Sequence, residues 1–241
     1  MSYLKTIDEI GAMGDTAIVP VGSCEQHGHH LPVSTDVIIA QGFADAIGER
    51  ISAFTLPCLP ISTAYEHKGK KGSVWMNADT FYKVLVDIVC NLKDQGYRKV
   101  VVIKGHGGIF VMDPAIRHLN ANYMPELSVC MLEPGNFSDP DDDILENKNE
   151  LHSGESETSL MLYLRPELVK MELAVDHLPE AKRPYLQYGS MFKYCPDGVW
   201  GAATLATAEK GKKLFDNGVE GSIKYIDMIF NMMEGKAYGG K

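Results

Sequence analysis

Residues 16–36, TAIVPVGSCEQHGHHLPVSTD, are predicted to pass from a buried strand through a polar loop into a helix, and this order is the strongest indication of the fold class. Thr16–Val21 is an apolar run without polar alternation, which is typical of a strand covered on both faces. A helical pattern, Thr35–Ile47, follows, with Asp36 in its first turn. This order predicts an α/β protein whose polar loops gather at the carboxyl ends of the strands.

The rest of the chain repeats this alternation of strands and helices. Further strands are predicted at Ala53–Leu56, Lys99–Ile103 and Leu127–Leu132, and further helices at Ala78–Gln95, Ile109–Asn122, Ser156–Leu164 and Ala206–Met233. Gly135–Glu150 is interpreted as an acidic, solvated loop and Asp176–Asp197 as a long irregular loop or lid. We therefore expect a three-layer α/β/α sandwich with a mostly parallel, roughly four-stranded central sheet. No low-complexity linker interrupts the chain, which favours one domain over residues 1–241.

Composition narrows the class of protein. The chain has 241 residues, of which 45% are hydrophobic, so it is long enough for one full core. Its net charge of −9 argues against non-specific binding to nucleic acid. No apolar run has the length of a membrane span, and the N-terminus does not resemble a signal peptide. Five cysteines without CxxC spacing favour buried free thiols, and we expect a cytoplasmic protein.

The loop after the first strand carries three strong metal-ligand types. Glu25 and His27 are separated by one residue, and Asp36 follows at the start of the next helix. Imidazole and carboxylate groups bind first-row divalent metals, and one carboxylate can bridge two of them. The alternative is a polar turn in which Asp36 only caps the helix. The cluster favours half of a two-metal site.

A glycine turn after the third strand carries a further candidate ligand. His106 lies within Lys104–Gly108, at the same edge of the predicted sheet as the first cluster. A phosphate-binding glycine loop is a competing interpretation, but the Walker spacing is missing. A plain glycine turn with an incidental histidine is the other alternative.

The third cluster surrounds the start of a predicted helix. Glu157 is a candidate to complete a metal site, and His152 is a candidate general acid, because the pKa of histidine lies near neutrality. Glu155 is a candidate base or orienting residue. It is equally well explained as an acidic first-turn residue that stabilises the helix dipole.

These three motifs, in this order, resemble the creatininase (creatinine amidohydrolase) family. The signature E-x-H-G-x-H-L-P-x-x-x-D is matched from Glu25 to Asp36, and a G-H-G-G turn is matched by residues 105–108. The signature H-A-G-x-x-E-T-S is matched from His152 to Ser159, with Ser153 in place of alanine. Residues 198–201 and 206–211 are also similar, so the resemblance covers nearly the whole chain.

The resemblance implies an α/β/α fold, often a homohexamer, with one or two Zn, Mn or Fe ions. It implies Glu25, Asp36 and His106 on one metal, and His27 with the bridging Asp36 on the other. His30 matches the motif but is expected to support a ligand rather than to bind metal. Creatininase proper carries a glutamate two residues after the third-strand histidine. Because this chain has Gly108 there, Glu157 is our candidate substitute.

The predicted activity is hydrolysis of a C–N bond in a cyclic amide or formamide of a small molecule, by a metal-bound hydroxide. Alternatives implied by the resemblance are ring opening of a dehydro-inosose by C–C cleavage and a peptidase that matures a peptide-derived cofactor. A non-catalytic metal-binding protein is a further alternative. Candidate substrate-binding residues are Lys68, Trp75 and Trp200, although a solvated basic loop and core packing also explain them.

Overall fold

The four predicted strands form one parallel sheet in the computed structural model, which describes residues 1–137 and 144–236. The sheet has the order β2-β1-β3-β4. Its strands are β1 (Thr16–Val21), β2 (Phe54–Thr55), β3 (Lys99–Lys104) and β4 (Ser128–Leu132). The predicted parallel central sheet is therefore confirmed, with boundaries that differ from the predicted ones by at most two residues.

Helices lie before, between and after the strands. They are α1 (Ile7–Gly11), α2 (Thr35–Ile51), α3 (Ala78–Asp94), α4 (Met112–Tyr123), α5 (Glu155–Leu164) and α6 (Ala208–Met233). A short antiparallel pair, β5 (Asp176–His177) and β6 (Gly201–Ala202), forms a second sheet. None of the helices in the described part of the chain is long and apolar enough to cross a membrane.

The central sheet is covered on both faces, which explains why its strands lack polar alternation. One face packs against α3 and α4 through a core that includes Val19, Val102, Leu85 and Leu119. The opposite face packs against α2, α5 and α6 through residues such as Ile18, Val101, Phe43, Leu160 and Phe230. Alternate residues of each strand supply the two cores. The three-layer α/β/α sandwich is confirmed.

The register of β1 and β3 brings two polar loops together. The two strands pair without a break from Thr16 opposite Lys99 to Val21 opposite Lys104. Both strands therefore end at the same level of the sheet. The loop that leads from β1 to α2 and the glycine turn after β3 start side by side, as the sequence predicted.

Pro20 is accommodated within β1 by a bulge in the neighbouring segment. Leu56 N–H donates to the carbonyl of Ile18, but the next bond to β1 comes from Leu59 N–H, which donates to the carbonyl of Pro20. The two donors are three positions apart in the sequence, whereas successive donors in a regular parallel ladder are two positions apart. The proline, which has no N–H to donate, therefore lies at the irregular point of the ladder. Cys58 N–H, displaced from the ladder, donates to Gln41 Oε1 at 2.7 Å.

The outer edge of β4 is bonded to a side chain. Asn120, on α4, donates from Nδ2 to the carbonyl of Val129 at 2.9 Å. Its Oδ1 accepts the Val129 N–H at 2.8 Å. The amide thus satisfies both backbone groups of this edge residue as a neighbouring strand would.

Several expectations need adjustment. The acidic loop predicted at Gly135–Glu150 starts within a short 3₁₀ turn, Pro134–Phe137, and its residues 138–143 lie outside the described residues. The segment predicted as irregular contains β5 and several 3₁₀ turns. Helix α1 was not predicted, because its five residues are too few for a periodic pattern; a capping box of Thr6 and Glu9 begins it. All five cysteines are free thiols, of which Cys130 and Cys195 are buried.

Candidate metal centre

Four predicted ligands meet at the carboxyl ends of β1 and β3. His27 Nε2 lies 3.2 Å from Asp36 Oδ1, and His106 Nδ1 lies 3.4 Å from Asp36 Oδ2. His106 Nδ1 is also 3.2 Å from Glu25 Oε1. All four side chains are buried. The β1–α2 loop, the first turn of α2 and the turn after β3 therefore converge on one point.

The third motif reaches the same point from the start of α5. Glu157 Oε2 lies 3.8 Å from His27 Nε2. Ser153 has a positive φ of 52°, and its N–H donates to Glu157 Oε2 at 2.6 Å. This tight turn before α5 directs the Glu157 carboxylate back toward His27, and Glu157 is close enough to His27 and Asp36 to share an ion with them.

His152 lies against the ligands with its two ring nitrogens in different surroundings. The backbone of His152 forms an antiparallel bridge with that of Trp200, and this bridge fixes the position of the His152 backbone. Nε2 lies 2.7 Å from the backbone carbonyl oxygen of Gln26 and 3.1 Å from the side-chain amide nitrogen of the same residue. Because the carbonyl is nearer and only accepts, we assign a proton to Nε2. Nδ1, 3.7 Å from Glu25 Oε1, faces the ligand cluster.

Two residues of the cluster were missed by the sequence analysis. His67 Nε2 lies 3.0 Å from Glu25 Oε1, and Glu66 Oε1 lies 3.3 Å from His106 Nε2. Both belong to a 3₁₀ turn, Tyr65–His67, which no periodic strand or helix pattern in the sequence predicts. The adjacent glutamate and histidine in the sequence were the one local signal that pointed to them.

The donor set fits a divalent metal. Both carboxylate oxygens of Glu25 and Oδ2 of Asp36 are buried, and none of them makes a well-aligned hydrogen bond with a described residue. The nearest groups are imidazole nitrogens, 3.0 and 3.2 Å from Glu25 Oε1 and 3.4 Å from Asp36 Oδ2. Burying carboxylate oxygens without hydrogen bonds is costly, and a cation bound between them and the imidazoles removes that cost. The side chains that come close enough to share an ion form three groups: Glu25 with His67 and His106, Glu25 with His27 and His152, and His27 with Asp36 and Glu157.

The charged groups shift one another's pKa values in the metal-free chain. Burial alone would raise the pKa of Glu25, but the His106 and His67 imidazoles lower it well below its ordinary value. Burial alone would lower the pKa of His27, but Asp36 raises it to about 10. Burial raises the pKa of Glu157 to about 7. Burial and the neighbouring His27 lower the pKa of His152 well below its ordinary value.

The structure does not place Glu155 where a catalytic base would act. Its buried carboxylate accepts hydrogen bonds from the N–H groups of Glu146 and Asn147, both at 3.0 Å, and pairs with Lys210. These partners face α6 rather than the metal ligands. Glu155 therefore anchors the segment before α5, and its place in the first helical turn explains the acidic residue.

His30 lies beneath the cluster and does not join it. Its Nε2 is 2.9 Å from Thr158 Oγ1 on α5, so the ring connects the first motif to the third. Burial lowers its pKa to about 4, which keeps the imidazole neutral. The supporting role of His30 stays a prediction, and the contact with Thr158 is the route by which it would act.

The candidate substrate-binding residues lie farther out. Beside the ligands is a cavity of about 240 Å³, whose lining includes Glu133, Glu150, Arg183 and Leu186. Lys68 is exposed and Trp75 is half-buried, and neither lines this cavity. Trp200 is buried, supports His152 through its backbone and lines a neighbouring cavity of about 590 Å³.

Comparison with known proteins agrees with this geometry. The family model for creatininase, described as creatinine amidohydrolase, matches residues 4–226. The chain is 30% identical to 3-dehydro-scyllo-inosose hydrolase of Thermotoga maritima, over 96% of this chain and 82% of the relative. It is also 30% identical to creatinine amidohydrolase of Pseudomonas putida, over 87% and 88%. Mycofactocin precursor peptide peptidase of Mycobacterium ulcerans is 27% identical, over 93% and 94%.

Solved structures extend the similarity to the fold and to the metal. A creatininase crystal structure superposes with a TM-score of 0.80 at 28% identity, covering 92% of this chain and 94% of that one. Other creatininase structures at 28% identity, with TM-scores of 0.79 and each covering 92% of this chain and 95% of the other, are described as a Zn-Zn type and an Mn form. The predicted divalent metal cofactor is thereby confirmed. The chain belongs to the creatininase family of metal-dependent hydrolases.

Proposed function

We propose that the protein hydrolyses a C–N amide bond of a small molecule at a two-metal centre. The observation that carries this proposal is the position of Asp36. Its Oδ1 faces His27 at 3.2 Å and its Oδ2 faces His106 at 3.4 Å, so each oxygen is directed at a different histidine. A carboxylate between two imidazoles is suited to bridge two metal ions.

The residues divide into two sets around that bridge. Glu25 and His106 would hold one ion with Asp36, and His27 and Glu157 would hold the other. Divalent ions at such a centre acidify a water and polarise the carbonyl that it attacks. The other groups of this chain bind the substrate and move protons.

His152 is the residue that we assign to proton transfer. Because its Nε2–H is held by the Gln26 carbonyl, Nδ1 is the atom that can take up a proton at the ligand cluster and give it to a leaving nitrogen. Burial, the largest cause of the lowered pKa of His152 in the metal-free chain, favours release of that proton.

A second candidate substrate class is favoured by the lining of the cavity. Three carboxylates besides those of the proposed ligands, Glu66, Glu133 and Glu150, line it together with Arg183. Such a lining is suited to many hydroxyl groups rather than to a flat apolar ring. Ring opening of a hydroxylated cyclic diketone, the class to which a dehydro-inosose belongs, is therefore the alternative reaction at the same site.

The test is a substrate screen with the metal-reconstituted protein. Zn²⁺- and Mn²⁺-loaded samples would be assayed with creatinine, other cyclic amides, formamides, a hydroxylated cyclic diketone and short peptides. We expect turnover in the amide group, and turnover of the diketone alone would select the alternative. Metal binding without turnover of any of these compounds would refute both proposals.

Asp36→Asn tests the bridging role directly. We expect this variant to bind fewer than two metal equivalents by elemental analysis and to lose at least about 10³-fold in kcat, since both ions share this carboxylate. Asp113→Asn is the matched control, because Asp113 is also in the first turn of a helix but is exposed. Two tightly bound equivalents in Asp36→Asn would contradict the bridge.

A further inference from the structure

The place of a side chain at residue 108 is filled by the carboxylate of Glu66. A Cβ built on Gly108 would overlap Glu66 Oε1 and His106 Nε2, and would lie 2.8 Å from Glu66 Cδ. Gly108 does not have a positive φ, so its backbone would accept a side chain. The space is therefore closed by Glu66 and His106, not by backbone conformation.

Glu66 is held in this position by contacts on both sides. Thr63 Oγ1 donates to the carbonyl of Gly108 at 2.9 Å, which ties the segment before Glu66 to the glycine turn. Ser190 Oγ lies 2.8 Å from the carbonyl oxygen of Lys68 and 3.1 Å from that of Glu66, so its single hydrogen is shared between the two carbonyls of this turn. The Glu66 side chain is only 16% exposed. The carboxylate is thus part of a built site.

The two nitrogens of His106 face different carboxylates. Nδ1 is directed at Glu25 and Asp36, at 3.2 and 3.4 Å, whereas Nε2 lies 3.3 Å from Glu66 Oε1, in a charge contact that is not aligned as a hydrogen bond. A carboxylate at the far nitrogen of a metal-binding histidine fixes the orientation of the ring and increases its basicity. Glu157 does not take this place, because its carboxylate lies beside His27 instead.

We propose that Glu66 is a positioning residue for His106, and that its carboxylate fills the space left by the absence of a side chain at residue 108. The inference rests on the proposed function, since it requires a metal ion on His106 Nδ1. It goes beyond the predicted ligand set by adding a residue that acts on the metal through another side chain.

The first test measures metal binding rather than activity. Glu66→Gln keeps the volume of the side chain and removes its charge. We expect the Zn²⁺ affinity of the His106 site, measured by chelator competition, to fall about 10- to 100-fold. The visible absorption bands of the Co²⁺-substituted protein are expected to shift, and Glu66→Asp to recover part of the affinity. Glu49→Gln, an exposed carboxylate on α2, is the control and is expected to match the wild type.

Substitutions at residues 66 and 108 test whether the Glu66 carboxylate occupies the volume that a side chain at residue 108 would need. Gly108→Glu alone is expected to lower the melting temperature, because two side chains would compete for one volume. The double variant Glu66→Gly with Gly108→Glu removes the overlap with Glu66 and keeps the one with His106 Nε2. We therefore expect its stability to lie between those of Gly108→Glu and the wild type, and its Zn²⁺ affinity to exceed that of Glu66→Gln.

The outcomes separate the two proposals. Unchanged Zn²⁺ affinity and an unchanged Co²⁺ spectrum in folded Glu66→Gln would overturn the role of Glu66. A Gly108→Glu variant as stable as the wild type would refute the claim that Glu66 and a side chain at residue 108 compete for one volume. A wild-type protein that fails to bind metal would instead refute the proposed function.

Discussion

At the scale of single residues, protonation and metal binding compete for the same imidazole. In the metal-free chain Asp36 raises the pKa of His27 to about 10, so this histidine carries a proton at neutral pH. A metal must displace that proton before Nε2 can bind it. Metal affinity is therefore expected to increase with pH across the neutral range.

The same shift predicts how the stability of the metal-free protein depends on pH. A pKa raised from 6.5 to about 10 stabilises the fold fully below pH 6.5, and this contribution is lost as the pH rises through 10. Thermal unfolding of chelator-treated protein between these pH values should show stability that falls as the pH rises.

Calorimetry of Zn²⁺ binding in buffers of different protonation enthalpy should show release of about one proton per ion. Metal uptake that is independent of pH would contradict this.

His152 is expected to affect turnover without affecting metal content. Its Nδ1 faces the cluster, and general acid–base groups typically contribute about 10²- to 10⁴-fold to rate. His152→Gln should lower kcat by this range and leave the metal stoichiometry, measured by elemental analysis, unchanged. His118→Gln, on α4, serves as the control. Loss of metal together with activity would instead identify His152 as a ligand.

Residue spacing predicted some members of the site and not others. Glu25, His27, Asp36 and His106 follow strands whose ends the sequence locates, so their meeting could be foreseen. His67 and Glu66 lie in a turn whose path depends on tertiary contacts such as the one from Thr63 to Gly108. Glu155 was predicted as a catalytic candidate, but its carboxylate binds Lys210 and the N–H groups of Glu146 and Asn147. Sequence spacing does not show in which direction a carboxylate of the first helical turn points.

At the scale of elements, the third motif is positioned by a close contact between α5 and α6. Gly211 on α6 lies against the backbone of α5, and a Cβ there would overlap the carbonyl group of Ser159. This approach brings Lys210, the neighbouring residue, to the Glu155 carboxylate at the start of α5. The α6 helix therefore supports the turn that carries His152 and Glu157.

Gly211→Ala is expected to destabilise the protein by about 3 kcal/mol, because backbone atoms cannot move aside as a flexible side chain can. Urea unfolding would measure the change. Gly11→Ala is the control, since a Cβ at Gly11 meets no atom within 4 Å. A loss of less than about 0.5 kcal/mol for Gly211→Ala would show that the helices can separate without cost.

Element boundaries were predictable to different degrees. Helices and strands that bury a regular face, such as β1 and α3, begin at the predicted residues. Helix α4 begins three residues later than predicted, because the turn after His106 uses Ile109–Val111 before the helix forms. The small sheet of β5 and β6 was not predicted, since two-residue strands leave no periodic signal.

At the scale of the whole molecule, the proposed metal centre joins distant parts of the chain. Its residues extend from Glu25 to Glu157 and come from loops at the ends of two strands, a 3₁₀ turn and two helices. Metal binding is therefore coupled to folding of the entire sandwich. We expect one cooperative thermal transition for residues 1–241, consistent with the predicted single domain.

Addition of metal is expected to stabilise the folded state and so to raise the temperature of this transition. At a free Zn²⁺ concentration 100 times the dissociation constant, the folded state gains about 2.7 kcal/mol per site. Calorimetry of metal-free and loaded samples would measure the rise in melting temperature, and light scattering on the same samples would test the predicted homo-oligomer. Two separate transitions, of which only one responds to metal, would contradict a single unit.

The hydrogen bonds of Asn120 have a consequence for solubility. An open strand edge offers its N–H and C=O groups to any extended peptide, and this is a common route to aggregation. At one edge of the sheet the segment from β2 to Leu59 is interrupted by the bulge at Cys58, and at the other Asn120 occupies both backbone groups of Val129. Each edge therefore carries an interruption that a second chain cannot continue as a regular ladder, and these two devices oppose edge-to-edge association.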